Sequence, residues 1–152
     1  MHARATTRRW RAGPSPLHES SRMSPFTSTG FVAVGVGAAL GAWLRWALSH
    51  WLNPVMPQVP LGTLAANLGG GFVVGAAIAY LGVHDELSPA WRLFIVTGFL
   101  GGLTTFSTFS AESMLLLQGG RVGWAMLHTG LHLIGALAFC FAGYELVRRV
   151  GA

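Results

Sequence analysis

Apolar residues run through the chain in four long stretches, near residues 30–51, 61–83, 91–117 and 122–147, parted only by short polar connections. At about 1.5 Å per residue each stretch is long enough to cross a hydrocarbon core of about 30 Å as a helix. The connections carry helix breakers: Asn53-Pro54 with Pro57 and Pro60, then His84-Asp85-Glu86 with Ser88-Pro89, then Gln118-Gly119-Gly120-Arg121. Trp43, Trp46, Trp51, Trp91 and Trp124 fall near the ends of the stretches, where amphipathic rings sit at headgroup level. The pattern predicts an all-α membrane protein with one four-helix transmembrane domain over residues 23–152.

One segment departs from this pattern. Residues 98–110 carry Gly98, Gly101 and Gly102, the hydroxyls of Thr104, Thr105, Ser107, Thr108 and Ser110, and Phe99, Phe106 and Phe109. Those hydroxyls cannot share one face of a helix with about 3.6 residues per turn. Lipid offers no hydrogen bonds, so the segment must be enclosed by protein or line a wet cavity. Either the third helix is surrounded by the others or it breaks here; both readings point to conduction or binding.

Other positions carry weaker signals. Gly37 and Gly41, and Gly71 and Gly75, are spaced four apart, as close helix packing in lipid requires. Thr63, Asn67 and Gly71 form a narrow polar stripe on the second helix. Asn67 fits either an interhelical hydrogen bond or a donor to a ligand. Phe106 and Phe109, three apart, share a helical face, where ring edges would attract an anion and ring faces would repel it. His128 and His132 lie one turn apart beside Thr129, with no third metal ligand evident. Arg45, late in the first span, either draws anions into a vestibule or snorkels to the headgroups. Glu112 fits a vestibular acid or a solvated helix end.

Composition sharpens the class. Of 152 residues 52% are hydrophobic and 10% charged, which excludes an ordinary soluble domain. The net charge of +5 belongs mostly to residues 1–22, where Arg4, Arg8, Arg9, Arg11 and Arg22 face only Glu19. Nucleic-acid binding is therefore a poor reading, because these arginines sit on a tail. The tail resembles a transit peptide in composition and is expected to be disordered if present, or else to be a mis-assigned start, with Met23 as the favoured beginning. Cys140 stands alone and reads as a buried thiol. With both ends on one side, the core from Met23 places Arg92, Arg148 and Arg149 there against Arg45 and Arg121 opposite, almost no orientation bias. Such balance hints at insertion in both orientations, which the basic tail would prevent. No nucleophile–base pair or complete metal site is visible, so the chain is not expected to be an enzyme.

The segments 37–46, 62–72 and 98–112 together resemble the signature segments of the CrcB/Fluc fluoride channels, in the family's order and on the expected spans. The likeness covers about residues 30–148, and the third segment is its most specific part. It implies a four-helix protein of the cell (inner) membrane that pairs antiparallel with a second copy and passes fluoride passively. It also implies a sodium ion at the dimer centre, held by the main-chain carbonyls of Gly101 and Thr104. Phe106 and Phe109 would face fluoride, and Asn67 would supply an amide donor. Ser107, Thr108, Ser110 and His132 would extend the polar track, with Arg45 and Glu112 at its vestibules.

The competing reading is a dual-topology, proton-coupled multidrug exporter. Coupling needs a carboxylate at membrane depth, whereas the first two stretches hold no Asp or Glu and Glu112 is near the end of the third. A non-transporting assembly subunit would leave the polar segment without a purpose. At His132 the family usually carries a hydroxyl, and histidine changes charge between about pH 5 and 8. Conduction is therefore expected to differ between about pH 6 and pH 8, and identical flux at the two would remove that expectation.

Overall fold

The computed structural model describes residues 27–84 and 86–151; the basic tail 1–22 and Met23 lie outside them. Among the described residues four helical spans, Ser28–Val55, Leu61–Val83, Pro89–Gln118 and Val122–Val150, are long and apolar enough to cross a membrane; the chain is a multi-pass membrane protein, helical throughout these spans but for the extended pair described below. Their ends follow local chemistry. Thr27 caps the first span, its hydroxyl accepting from the Gly30 N–H at 3.0 Å. Asn53, in a short 3₁₀ turn, accepts from the N–H groups of Gly62 (2.8 Å) and Thr63 (3.2 Å) and so satisfies the start of the second span from outside it.

The turn into the fourth span is a Schellman motif. Arg121 N–H donates to the Leu116 carbonyl at 2.9 Å and Gly120 N–H to that of Leu117 at 3.0 Å. Gly120 adopts φ 69°, a left-handed conformation that a Cβ disfavours.

The third span is the irregular one. Its helical stretches are Pro89–Arg92, Leu93–Leu100 (wound as a π-helix), Gly101–Leu103 and Phe106–Gln118. Between the last two, Thr104 (ψ 149°) and Thr105 (φ −146°, ψ 111°) have extended backbone.

The first span packs against the third and the second against the fourth, each through glycine. A Cβ at Gly41 would collide with the Phe99 carbonyl, and one at Gly98 would lie 2.8 Å from that of Val34. On the other pair, a Cβ at Gly75 would strike the Cys140 carbonyl and one at Gly143 that of Phe72. Helix axes approach closely because no side chain intervenes, which in lipid supplies the packing that water-driven burial cannot. The core is small, centred on Ala66, Leu100 and Leu103. Many span residues stay exposed on the single chain, Trp46, Phe106 and Leu137 each by more than 70%.

Replacing Gly143 by Val should lower the melting midpoint in detergent, since overpacking costs about 1–3 kcal/mol. Gly130→Ala, where the added Cβ meets nothing within 4 Å, should leave it unchanged. Equal melting of the two variants would contradict the glycine-mediated pairing.

Candidate functional site

Extended backbone at Thr104 and Thr105 diverts hydrogen bonds that a continuous α-helix would close. The Thr105 N–H, which would reach the Gly101 carbonyl, instead donates to Asn67 Oδ1 at 2.8 Å. The Thr105 carbonyl accepts from Asn67 Nδ2 at 3.2 Å. Asn67 thus pairs with both backbone polar groups of Thr105, as a neighbouring strand would. The Thr108 N–H, due to the Thr104 carbonyl, donates to the Thr105 hydroxyl at 3.2 Å. That bond makes Thr105 the N-cap of Phe106–Gln118 and explains why the helix resumes there. Arg45 Nε donates to the Gly102 carbonyl at 3.0 Å, so this side chain from the first span braces the third.

A cavity of about 390 Å³ opens beside these residues, with Asn67, Thr104, Thr105, Phe106, Phe109 and His132 among its walls. Phe106 and Phe109 lie 5.4 Å apart between ring centroids at 57°. Phe106 is 73% exposed on the chain, whereas Phe109 is buried. Phe109 also contacts His132 (5.0 Å) and stacks on His128 (5.5 Å). His132, buried on the fourth span, faces Asn67 Nδ2 through Nδ1 at 2.9 Å.

Below the cavity a chain of polar groups crosses between spans. Asn53 Nδ2 donates to Thr63 Oγ1 (3.4 Å), and Thr63 Oγ1 donates to Glu112 Oε1 (2.6 Å). Glu112 Oε2 lies 3.2 Å from His128 Nε2, and His128 Nδ1 lies 3.0 Å from Ser113 Oγ. Thr63 and His128 are fully buried, so every link joins groups that lipid could not satisfy.

The sequence-predicted residues fall into three groups. Asn67, Phe106, Phe109, His132 and Thr104 meet around the cavity. Ser107, Thr108 and Ser110 bond locally: Ser107 and Thr108 to the Thr105 hydroxyl at 3.2 and 3.0 Å, and Ser110 to the Phe106 carbonyl at 2.8 Å. Arg45 and Glu112 are half-buried and engaged with protein groups, and Gly101 is exposed. Sequence reasoning missed Asn53, Ser113 and Thr105 as partners. It also saw no third group near the histidines, whereas Glu112 offers an atom within 4.8 Å of both. The i, i+4 placement of the histidines was the available signal; the partner across the bundle had none.

The model of the family described as CrcB-like protein, Camphor Resistance (CrcB), matches residues 32–144. The chain belongs to this family. Its relatives include proteins named fluoride-specific ion channel FluC. That of Cupriavidus pinatubonensis is 57% identical over 114 residues, 75% of this chain and 90% of the relative. That of Ralstonia nicotianae is 55% identical over 122 residues, 80% of this chain and 97% of the relative. That of Pseudomonas syringae pv. maculicola is 51% identical over 120 residues, with 79% and 94% covered. The CrcB-like match takes in the cavity, the extended pair at Thr104 and Thr105, and the Thr63–Glu112–His128 connection.

Thr105→Val keeps the side chain's shape and removes the cap, and should lower stability by about 0.5–2 kcal/mol. Arg45→Ala leaves the Gly102 carbonyl without its donor, and should cost about 1–3 kcal/mol. Thermal unfolding in detergent measures both; midpoints matching the parent would show that neither contact supports the span.

Proposed function

We propose that the chain forms a fluoride-selective passive channel in the cell (inner) membrane, exporting cytoplasmic fluoride and so protecting against its toxicity. The observation that carries this reading is the cavity in which Asn67, Phe106, Phe109 and His132 converge on extended backbone within a membrane span. The names of the FluC relatives support the choice of anion.

Fluoride is small and strongly hydrated, so a selective path must replace water with donors while staying too narrow for chloride. Hydroxyl and imidazole N–H groups supply such donors, and the positive edges of Phe106 and Phe109 complete a surface that tolerates negative charge. Ser107 and Ser110, exposed on the same stretch as Phe106, continue the polar surface beyond the cavity. No energy source is required: hydrogen fluoride enters neutral and dissociates inside, and an inside-negative potential drives the anion out with about 2.3 kcal/mol per 100 mV.

The working unit is an antiparallel homodimer with the third span broken at its centre. The exposed Gly101, Phe106, Ser107 and Ser110 support this, since a second copy would cover polar groups that lipid would not. A structural sodium ion would be held by the carbonyls of Gly101 and Thr104. The diversion of the Thr105 and Thr108 N–H groups from those carbonyls fits that role, because hard cations take oxygen ligands. When bound, the ion would offset repulsion between nearby anions.

The exporter reading is weaker. On the four spans the acids are Glu112, engaged by Thr63 and His128, and Glu145, paired with Arg148 and Arg149 near the chain end.

Purified protein in liposomes loaded with fluoride should release it when the membrane potential is dissipated, and should retain chloride. An intact fluoride gradient would overturn the channel, and proton-driven release of an organic cation would favour the exporter. Replacing sodium by a large organic cation should reduce fluoride release if the sodium assignment holds.

A further inference from the structure

We infer that the free anion donor of this pathway is the Nε2–H of His132, and that Asn67 acts on the anion through His132 as a positioning residue. This rests on the fluoride-channel reading above. The argument begins with the orientation of the Asn67 amide. The Thr105 N–H, 2.8 Å away, needs an acceptor, and the Thr105 carbonyl, 3.2 Å from Nδ2, needs a donor. Turning the amide over would set donor against donor and acceptor against acceptor, so backbone chemistry fixes which end is oxygen.

With the amide fixed, Nδ2 presents its second hydrogen to His132 Nδ1 at 2.9 Å. Nδ1 must accept, so in the neutral ring the proton sits on Nε2. Both hydrogens of Asn67 are then committed within the protein. His132 Nε2, by contrast, is buried and has no hydrogen-bond partner among the described residues. A buried N–H without an acceptor is destabilising, and an arriving anion relieves it.

The surroundings suit an anion in transit. His132 shares the cavity wall with Phe106 and Phe109, the latter 5.0 Å from its ring. Nε2 lies across the ring from Asn67. Among the described residues the titratable groups facing His132 are His128, 4.5 Å away between rings on its own span, and Glu112 from the third span. The second span contributes the uncharged Asn67. Both Glu112 oxygens are already engaged, Oε1 by Thr63 and Oε2 by His128.

Because Glu112, His128 and His132 offer ligand atoms within 4.8 Å of one another, a divalent cation is the rival occupant. A cation on His132 Nε2 would need a lone pair there, moving the proton to Nδ1, against the Asn67 hydrogen. The Asn67–Thr105 pairing therefore selects a negative ligand over a positive one.

The test combines spectroscopy and flux on the full chain. In protein labelled with ¹⁵N at histidine, His132 should show a bare Nδ1 and a protonated Nε2. Fluoride should shift the Nε2 signal, and chloride should leave it in place. Asn67→Asp, which puts an acceptor where the donor was, should place a proton on Nδ1. In liposomes His132→Leu should lose at least tenfold in fluoride efflux, while His132→Gln, which keeps an N–H, should lose less. A protonated Nδ1 in neutral His132 of the parent would overturn the inference, as would undiminished efflux in His132→Leu or zinc binding that the same substitution abolishes. Absence of efflux from the parent with the Nε2–H tautomer present would instead sink the channel reading.

Discussion

The pairing of one side-chain amide with one residue's backbone is the constraint on which the rest of this structure turns. Within a bilayer every peptide group must find a partner, so extended residues inside a span need a substitute for the helix ladder. Asn67 supplies it for Thr105, and the Thr105 hydroxyl supplies it for Thr108. Arg45 does the same for Gly102 from the opposite side. Three side chains thus hold open a segment that would otherwise close into helix, and the cavity lies where they hold it.

Polar groups elsewhere obey the same accounting. Thr63, Glu112, His128 and Ser113 come from the second, third and fourth spans and meet in one continuous line that starts at Asn53. A carboxylate there would be costly in isolation. Two neighbours on different spans engage it, which ties the bundle together beneath the cavity.

Much of this was legible beforehand. Pro60 and His84 bound the second, mostly apolar stretch at 61–83, and the helix occupies Leu61–Val83. Spacing alone indicated that Gly41 and Gly75 would face other helices. The hydroxyl-rich stretch coincides with the part of the third span where the backbone is extended. Nothing in it, however, distinguished Thr105, whose importance comes from Asn67, 38 positions away. Nor did any local signal foretell the π-helical winding of Leu93–Leu100, or that Glu112 would find Thr63 and His128. Periodicity reports which face of a helix is polar; it does not report which polar group on another helix stands opposite.

The glycine contacts between the second and fourth spans carry a consequence for how the bundle melts. At Gly75 and Gly143 the seam closes on the main-chain carbonyls of Cys140 and Phe72, so those two contacts freeze no rotamers. Little disorder is gained by loosening the seam a fraction there. Warming should leave it shut until the helices part together.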